Sequence, residues 1–408
     1  MKRPCDLMSR NNAKTALIAL LLICWQRGIP VSRAGGTLEY CLEAVANRLE
    51  QGQLDDGAWP GEEAYTGSLV IALAGAYALT GDAEYASAAA DGGNFILTSA
   101  AGNYYGDEAY GLVCLSRMED DPVQTPWWAA AEGFYSNVKY LATGSTVGYV
   151  SQFLETELSA SVCLVSHHTV AAYAVDAEDK AIWREGLVRF LVLIDDDFAV
   201  FPVMALGAAT WALATTGDLD DTLLDPWDEG AAYWQGRTFA DLPAMLLEHQ
   251  VPDGNDAGSF YWRFDHRVEQ LGQSAGGYTE DTAFGLLGLV AASEVQNDLR
   301  VREGVALARA ALLSGCDEDG VVHGHLWLGG QERYVYGASS LRALTGSVSR
   351  ADLNLDGHVD NRDLAVLAGR WREEESLDRR ARSRVDMDDS GMVDLADLRM
   401  FGGEWLRP

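Results

Sequence analysis

Along residues 37–346, apolar helical stretches alternate with loops rich in Gly, Asp and aromatic residues, and the alternation reads as one continuous array. Six pairs of helices are predicted. The first members lie near 38–51, 83–98, 127–142, 177–193, 238–249 and 298–314; the second lie near 64–79, 107–118, 153–175, 202–214, 279–293 and 336–345. The second members are Ala-, Leu- and Gly-rich on nearly every face, as in Thr66-Gly-Ser-Leu-Val-Ile-Ala-Leu-Ala-Gly-Ala and Thr282-Ala-Phe-Gly-Leu-Leu-Gly-Leu-Val-Ala-Ala. A helix apolar all round has to be buried, and its small residues let neighbours approach closely. The first members carry more charge, as in Asp298-Leu-Arg-Val-Arg-Glu, which suits an outer layer. The expected fold is all-α, with six inner and six outer helices in an (α/α)6-type toroid over 35–346. The stretches 143–160 and 215–237 fit the alternation least well.

After a short connector, 347–408 follows another rule, with one twelve-residue unit written twice. The first copy runs Asp352-Leu-Asn354-Leu-Asp356-Gly357-His358-Val359-Asp360-Asn-Arg-Asp363. The second runs Asp386-Met-Asp388-Asp-Ser390-Gly391-Met392-Val393-Asp394-Leu-Ala-Asp397. Oxygen-bearing side chains fall at positions 1, 3, 5, 9 and 12, and glycine at position 6. Ca²⁺ takes several hard oxygen ligands, and the glycine allows the sharp turn that aims alternate side chains inward. Each loop leads into a predicted apolar helix, from Leu364 and from Leu398, that reaches Trp371 or Trp405.

This tail, over 352–405, resembles a type I dockerin. Dockerins share the Asp at position 12, where an ordinary EF-hand prefers Glu. The resemblance implies a small dockerin module of two calcium-loop–helix repeats binding two calcium ions. Asp352, Asn354, Asp356, Asp360 and Asp363 with the His358 carbonyl would hold one ion. Asp386, Asp388, Ser390, Asp394 and Asp397 with the Met392 carbonyl would hold the other, more weakly, because Ser390 replaces the usual Asp or Asn. It also implies a protein partner, a cohesin-like or cell-surface protein. The pairs at positions 10 and 11, Asn361-Arg362 and Leu395-Ala396, differ, so symmetric docking does not follow.

A second resemblance sits in the body. Gln53-Leu-Asp-Asp-Gly57-Ala-Trp59 is similar to the QxxxGxW repeat of triterpene cyclases and their toroid relatives. Looser echoes are Gln250-Val-Pro-Asp253-Gly254 leading to Gly258-Ser-Phe260, and Asp317-Glu-Asp319-Gly320 leading to Trp327. Glycine supplies the turn, the aromatic covers a helix end, and the glutamine amide satisfies backbone groups left free there. The similarity speaks to fold and assigns no reaction. Asp218-Leu-Asp220-Asp221-Thr222 also matches the DxDDT acid motif of class II terpene cyclases, in which Asp220 would be the proton donor. Its place behind Ala212-Leu-Ala-Thr-Thr-Gly217 repeats that of Gly81-Asp82 behind Ala78-Leu-Thr80, so it reads as the polar turn leaving an inner helix.

The amino terminus is basic (Lys2, Arg3, Arg10, Lys14), then apolar from Ala16 to Trp25, then small at Val31-Ser32-Arg33-Ala34. That order predicts a secretory signal over 1–34, with an apolar run too short to span a bilayer. No later stretch suits a membrane anchor, so the expected location is extracellular, with the cell surface included. Export leaves Cys41, Cys114, Cys163 and Cys316, which read as buried small hydrophobes and not as a disulfide framework. The net charge of −31 becomes about −36 without the signal. Such acidity excludes nucleic acid as a partner and makes a highly acidic polysaccharide a harder substrate.

In such a toroid, the loops entering the inner helices would line one mouth of a central cavity. The first loop brings Asp55, Asp56, Trp59, Glu62, Glu63 and Tyr65, and the second Tyr104, Tyr105, Asp107, Glu108 and Tyr110. The longest insertion brings Tyr261, Trp262, Arg263, Asp265, His266, Arg267, Tyr278, Glu280 and Asp281. The last brings His323, His325, Trp327, Arg333, Tyr334 and Tyr336. Aromatic platforms beside carboxylates suit sugar rings, whose CH faces stack and whose glycosidic oxygen takes acid–base chemistry. The substrate-binding candidates are Trp59, Tyr65, Tyr105, Trp262, Tyr278, Trp327 and Tyr336. Glycoside hydrolysis would pair Asp107 or Glu108 with Glu280 or Asp281. A lyase would use Tyr278 or His266 as base and Arg263 or Arg267 against a uronate. Each carboxylate taken alone reads first as a helix-cap or first-turn acid. His323 and His325 read as a metal pair or as loop histidines. The expectation is a secreted calcium-binding protein acting on extracellular polysaccharide, hydrolase first. A non-catalytic glycan-binding or surface-assembly scaffold is the alternative, and a polysaccharide lyase comes third.

Overall fold

The computed structural model describes residues 38–99, 107–119, 121–133, 177–196, 201–265, 276–349, 351–353, 359, 361–369, 385, 387, 392–393 and 395–405. The body helices are α1 (Leu38–Gln51), α2 (Thr66–Thr80), α3 (Ala83–Ser99), α4 (Asp107–Ser116), α5 (Ala177–Leu191), α6 (Pro202–Thr216), α7 (Leu242–Glu248), α8 (Thr279–Val295), α9 (Leu299–Ser314) and α10 (Tyr334–Gly346). Two more, α11 (Asn361–Gly369) and α12 (Leu395–Trp405), follow in the tail. A hairpin, β1 (His323–His325) against β2 (Gly329–Glu332), is the one sheet among the described residues. The all-α reading of the class holds. The predicted helix at 153–175 lies outside the described residues, and the one at 127–142 is described only as far as 133.

Local chemistry sets the helix ends. α2 stops at Gly81, whose φ of 71° is left-handed and whose N–H reaches the Tyr77 carbonyl. α9 starts where the Asp298 carboxylate accepts the Arg300 amide at 2.9 Å. The helix predicted over 238–249 is a 3₁₀ turn, Phe239–Asp241, followed by the seven-residue α7. It is shortened because Phe239 and Ala240 donate their amides to the carbonyls of Thr222 and Asp220 across the chain.

α4, α2, α10, α8 and α6 pack side by side in that order. Glycines allow the approach: a Cβ on Gly67 would collide with the Glu108 backbone, and one on Gly207 with the Phe284 backbone. Tyr110 of α4 meets Trp211 of α6 edge-on, with centroids 5.8 Å apart. α1, α3, α5, α7 and α9 lie behind these helices. α1 buries Leu38, Cys41, Leu42, Val45, Ala46 and Leu49, the single apolar stripe of a half-exposed helix. α2, α6 and α8 bury nearly every face and α1 a single stripe, as the predicted pattern requires of these four helices.

One loop is built three times. Leu54, Val251 and Asp317 donate their amides to Ala58, Ser259 and Val321, at 2.8, 2.8 and 3.3 Å. Gly57, Gly258 and Gly320 take φ of 90°, 88° and 71°. A Cβ on each would collide with the carbonyl oxygen of Asp91, Leu307 or Ala44, on the outer helix beneath. Gln53 then clamps its loop, donating to Gly57 O at 3.0 Å and to Ala88 O at 2.9 Å. Gln250 repeats this with Gly258 O at 3.0 Å and Gly304 O at 2.8 Å. In the third loop Cys316 stands in the glutamine's place, its Sγ 4.0 Å from the Cys41 carbonyl. The aromatic's place is filled by Trp59, Phe260 and Val322, all buried. Trp327, expected there from the sequence, lies five residues further on; the bridge Cys316–Val322 matches Gln250–Phe260 and fixes the register. Through this third loop the end of the array docks onto α1, where it begins.

The tail has a core of its own, built from Ala351, Leu353, Leu367, Val385, Met387, Val393 and Phe401. Val359 packs on it and Val393 belongs to it; both hold position 8 of their loops. α11 and α12 begin at position 10 of each loop, so Asp363 and Asp397 lie in their first turns. Ahead of the tail, Arg309 of α9 donates to Ser347 Oγ at 3.1 Å, anchoring the connector.

Candidate active site

The starts of α2, α4, α8 and α10 carry a cluster of charged and aromatic side chains. Arg333, immediately before α10, grips Glu62, at the end of the first loop, with two bonds of 2.8 and 2.6 Å. Glu62 is buried, and the guanidinium also lies over Tyr65 and Tyr336, 4.6 and 5.7 Å from their centroids. One helical step inward, Ser68 donates to Asp107 Oδ2 at 2.9 Å, while Asp107 Oδ1 is buried without a partner. Burial raises the Asp107 carboxyl above the usual range, against the opposing pull of Arg342 and the Ser68 bond. Glu280, in the first turn of α8, is half-buried by accessible surface. Desolvation pushes its carboxyl up to about 7, with Glu62 and Asp107 adding repulsion and Arg333 opposing it. Asp281 is 2% exposed and held well above its ordinary value, by burial first and by Glu280 second.

Beneath these carboxyls is Arg342, the one charged side chain of α10 and 7% exposed. Its guanidinium faces three rings, Tyr110, Trp211 and Phe284, at 5.7, 5.4 and 5.6 Å. Those rings come from α4, α6 and α8, so Arg342 bridges four of the inner helices. Three groups follow one another along the inner helices: an ion pair between tyrosines, three carboxyls of raised pKa, and a cation among aromatic rings. Carboxyls that stay protonated beside others under Coulomb pressure are the ingredients of general acid–base chemistry.

The sequence candidates divide accordingly. Asp107, Glu280 and Asp281 come together, and Tyr65 and Tyr336 flank them through Arg333. Glu108 is buried where α4 meets α2, its backbone against Gly67. Trp59 is corrected: it is fully buried and donates Nε1–H to the Leu49 carbonyl at 2.7 Å, closing the end of α1, so it cannot be a sugar platform. Trp262 lies 6.1 Å from Phe201 and 6.3 Å from Tyr278. Tyr278 packs edge-on to His325 at 5.2 Å, and burial raises its hydroxyl pKa, which opposes a phenolate role. Trp327 is half-buried on the hairpin, its Nε1 without a partner. Arg263 is engaged by Asp196, donating to its carbonyl at 3.1 Å, while Asp196 accepts the amides of Phe264 and Asp265 at 2.8 and 2.6 Å. Tyr104, Tyr105, His266 and Arg267 lie outside the described residues.

Two other motifs resolve. His325 Nδ1 accepts from the amides of Trp327 and Leu328, at 3.2 Å each, so the neutral ring carries its proton on Nε2. Neither nitrogen then offers a lone pair, in keeping with the ordinary loop-histidine reading of His325. Asp220 is exposed, and its carboxylate accepts from Thr222, which holds it below the ordinary range. It is an ionised turn residue and no proton donor, as the turn reading expected.

Of the calcium candidates, Asp352, Met392, Asp363 and Asp397 are described. Asn354, Asp356, His358, Asp360, Asp386, Asp388, Ser390 and Asp394 lie outside the described residues. Asp352, Asp363 and Asp397 are 2%, 0% and 0% exposed, and Asp397 Oδ1 accepts the Met387 amide at 2.6 Å. Buried carboxylates of this kind are a chemistry that a hard cation can take up.

Sequence reading missed Arg342, Ser68 and Asp196. Arg342 had a signal, as a lone charge in an otherwise apolar helix; Ser68 and Asp196 had none. No family model, curated protein or solved structure matches this chain.

Proposed function

We propose that the chain is a secreted, calcium-binding enzyme that hydrolyses glycosidic bonds in extracellular polysaccharide. In this reading 1–34 is the export signal, 35–346 an (α/α)6-type toroid, and 347–408 a dockerin-like module. Asp352, Asp363 and Asp397, with the other ligands named above, would hold the two calcium ions, which supply the charge that orders the two loops. The module would tether the enzyme to a cohesin-like or cell-surface protein. The observation that carries the hydrolase reading is Glu280, a carboxyl pushed up to about 7 within the field of Asp107. Glu280 is the acid that protonates the glycosidic oxygen. Asp107, held by Ser68 and facing the positive field of Arg342, is the partner carboxylate. The lyase reading loses support because Arg263 is committed to Asp196 and the Tyr278 hydroxyl is raised.

A second reading, a non-catalytic glycan-binding or assembly scaffold, is favoured by Arg342 and its three rings, which fill the space where four inner helices meet. A polysaccharide panel separates the two, read for new reducing ends and for absorbance of unsaturated uronates. Reducing ends without absorbance, lost in both Glu280→Gln and Asp107→Asn, are the result expected. Binding without cleavage by the folded protein would move the assignment to the scaffold.

A further inference from the structure

At two junctions of the array, the loop is clamped to the outer helix beneath it by a glutamine amide: Gln53 on Ala88, and Gln250 on Gly304. The clamped residue lies in each case three positions before the carbonyl that the loop glycine faces, Asp91 and Leu307. The third junction follows the same register, with Gly320 facing Ala44 and therefore Cys41 in the clamped position. Here the clamp is Cys316, its Sγ 4.0 Å from the Cys41 carbonyl. Both members of the pair have become cysteine at this one junction. It is also the junction that joins the last loop to the first helix, 275 residues apart in sequence.

We propose that Cys41 and Cys316 form a disulfide that closes this seam. The neighbouring Cys316 thiol, followed by burial, holds the Cys41 thiol far above its ordinary pKa. Cys41 is 3% exposed and Cys316 half-buried, so an external oxidant meets Cys316 first. The Cys316 thiolate attacks a disulfide of the oxidant, glutathione disulfide or an oxidoreductase, and displaces one of its sulfurs as thiolate. Cys41 then gives up its proton and displaces the second from the mixed disulfide. The two cysteines lose two electrons and two protons; the oxidant's disulfide gains them and leaves as two thiols. An exported chain meets such oxidants. The sulfur–sulfur link replaces a clamp worth two hydrogen bonds with one that constrains the unfolded chain over most of its length.

The test uses the full chain, oxidised with glutathione disulfide, alkylated without reduction and cut with trypsin. The expected product is a cross-link between the peptide ending at Arg48 and the peptide ending at Arg333. Reductant should lower the unfolding temperature of this sample by several degrees, and of Cys114→Ser equally, but not of Cys316→Ser. Alkylation of both Cys41 and Cys316 in the folded, oxidised protein overturns the proposal, as does linkage of either to another thiol. Should Cys316→Ser not fold, the peptide map of the unaltered chain decides the question by itself.

Discussion

Glu62 and Arg333, 271 residues apart in sequence, meet in a two-bond ion pair of which Glu62 is the buried partner. Removing one member strands a charge, whereas removing both leaves none. Arg333→Met should therefore lower the unfolding free energy by about 3 kcal/mol, and Glu62→Gln with Arg333→Met by clearly less. Urea denaturation of the three proteins measures both.

Glu280 gives the fold a pH dependence of definite sign. Burial pushes its carboxyl up to about 7 in the fold, against an ordinary value of 4.5. The folded state thus holds a proton that the unfolded state has lost. This contribution is complete below 4.5 and is lost as pH rises through about 7. It amounts to at most about 3 kcal/mol. Glu280→Gln should flatten the stability profile between pH 5 and 8, measured by thermal unfolding. In the hydrolase reading, the rate should also fall as pH rises past that value.

Trp59 and Tyr65 separate structure from binding. Trp59→Ala empties a fully buried site and frees the Leu49 carbonyl, at a cost of about 3–5 kcal/mol. Tyr65→Ala, at an exposed position beside Arg333, should leave stability within about 1 kcal/mol. It should weaken glycan retention in affinity electrophoresis, which a conservative Trp59→Phe should not.

The repeated loop predicts a hierarchy among glycines. Gly61 has φ of 74° and open space around it, so Gly61→Ala should cost only the left-handed strain, about 1 kcal/mol. Gly57→Ala, Gly258→Ala and Gly320→Ala add a collision with a helix carbonyl and should each cost more. Differential scanning calorimetry ranks the four.

Calorimetric titration should find two calcium ions per chain. Asp363→Asn and Asp397→Asn should each abolish one binding event, with the second loop the weaker because of Ser390. An unchanged titration in both variants would sink the calcium assignment.

Much of the body was legible because inner helices need apolar residues on every face, and α2, α6 and α8 have them. Their predicted bounds fall within two residues of those observed. The glutamine and glycine of the QxxxGxW pattern were legible for the same reason, since a left-handed turn and a free carbonyl each select a residue type. Trp59 carried two readings, the QxxxGxW aromatic that covers a helix end and a ligand platform, and its bond to the Leu49 carbonyl leaves only the first. α7 came out short because its first residues bond to a turn twenty residues earlier, a long-range pairing that periodicity cannot register. Among the carboxyls, Asp107 and Glu280 were marked by their place in a first turn, but the field between them arises only when α4 and α8 are brought together.

The docking of the third loop onto α1 bears on how the array ends. An open stack of helical pairs exposes an apolar face at each terminus and needs special polar units to cover it. Here Gly320 lies on Ala44 as Gly57 lies on Asp91, so the last unit and the first cover one another. α1 and α10 run antiparallel, with Gly52 beside Tyr334 and Gly337 beside Val45, which brings Leu38 and Gly346 to the same end. A circular permutant of the body that joins 346 to 38 and opens the chain at the uncrowded Gly236 turn, outside all three loops, should keep these three junctions.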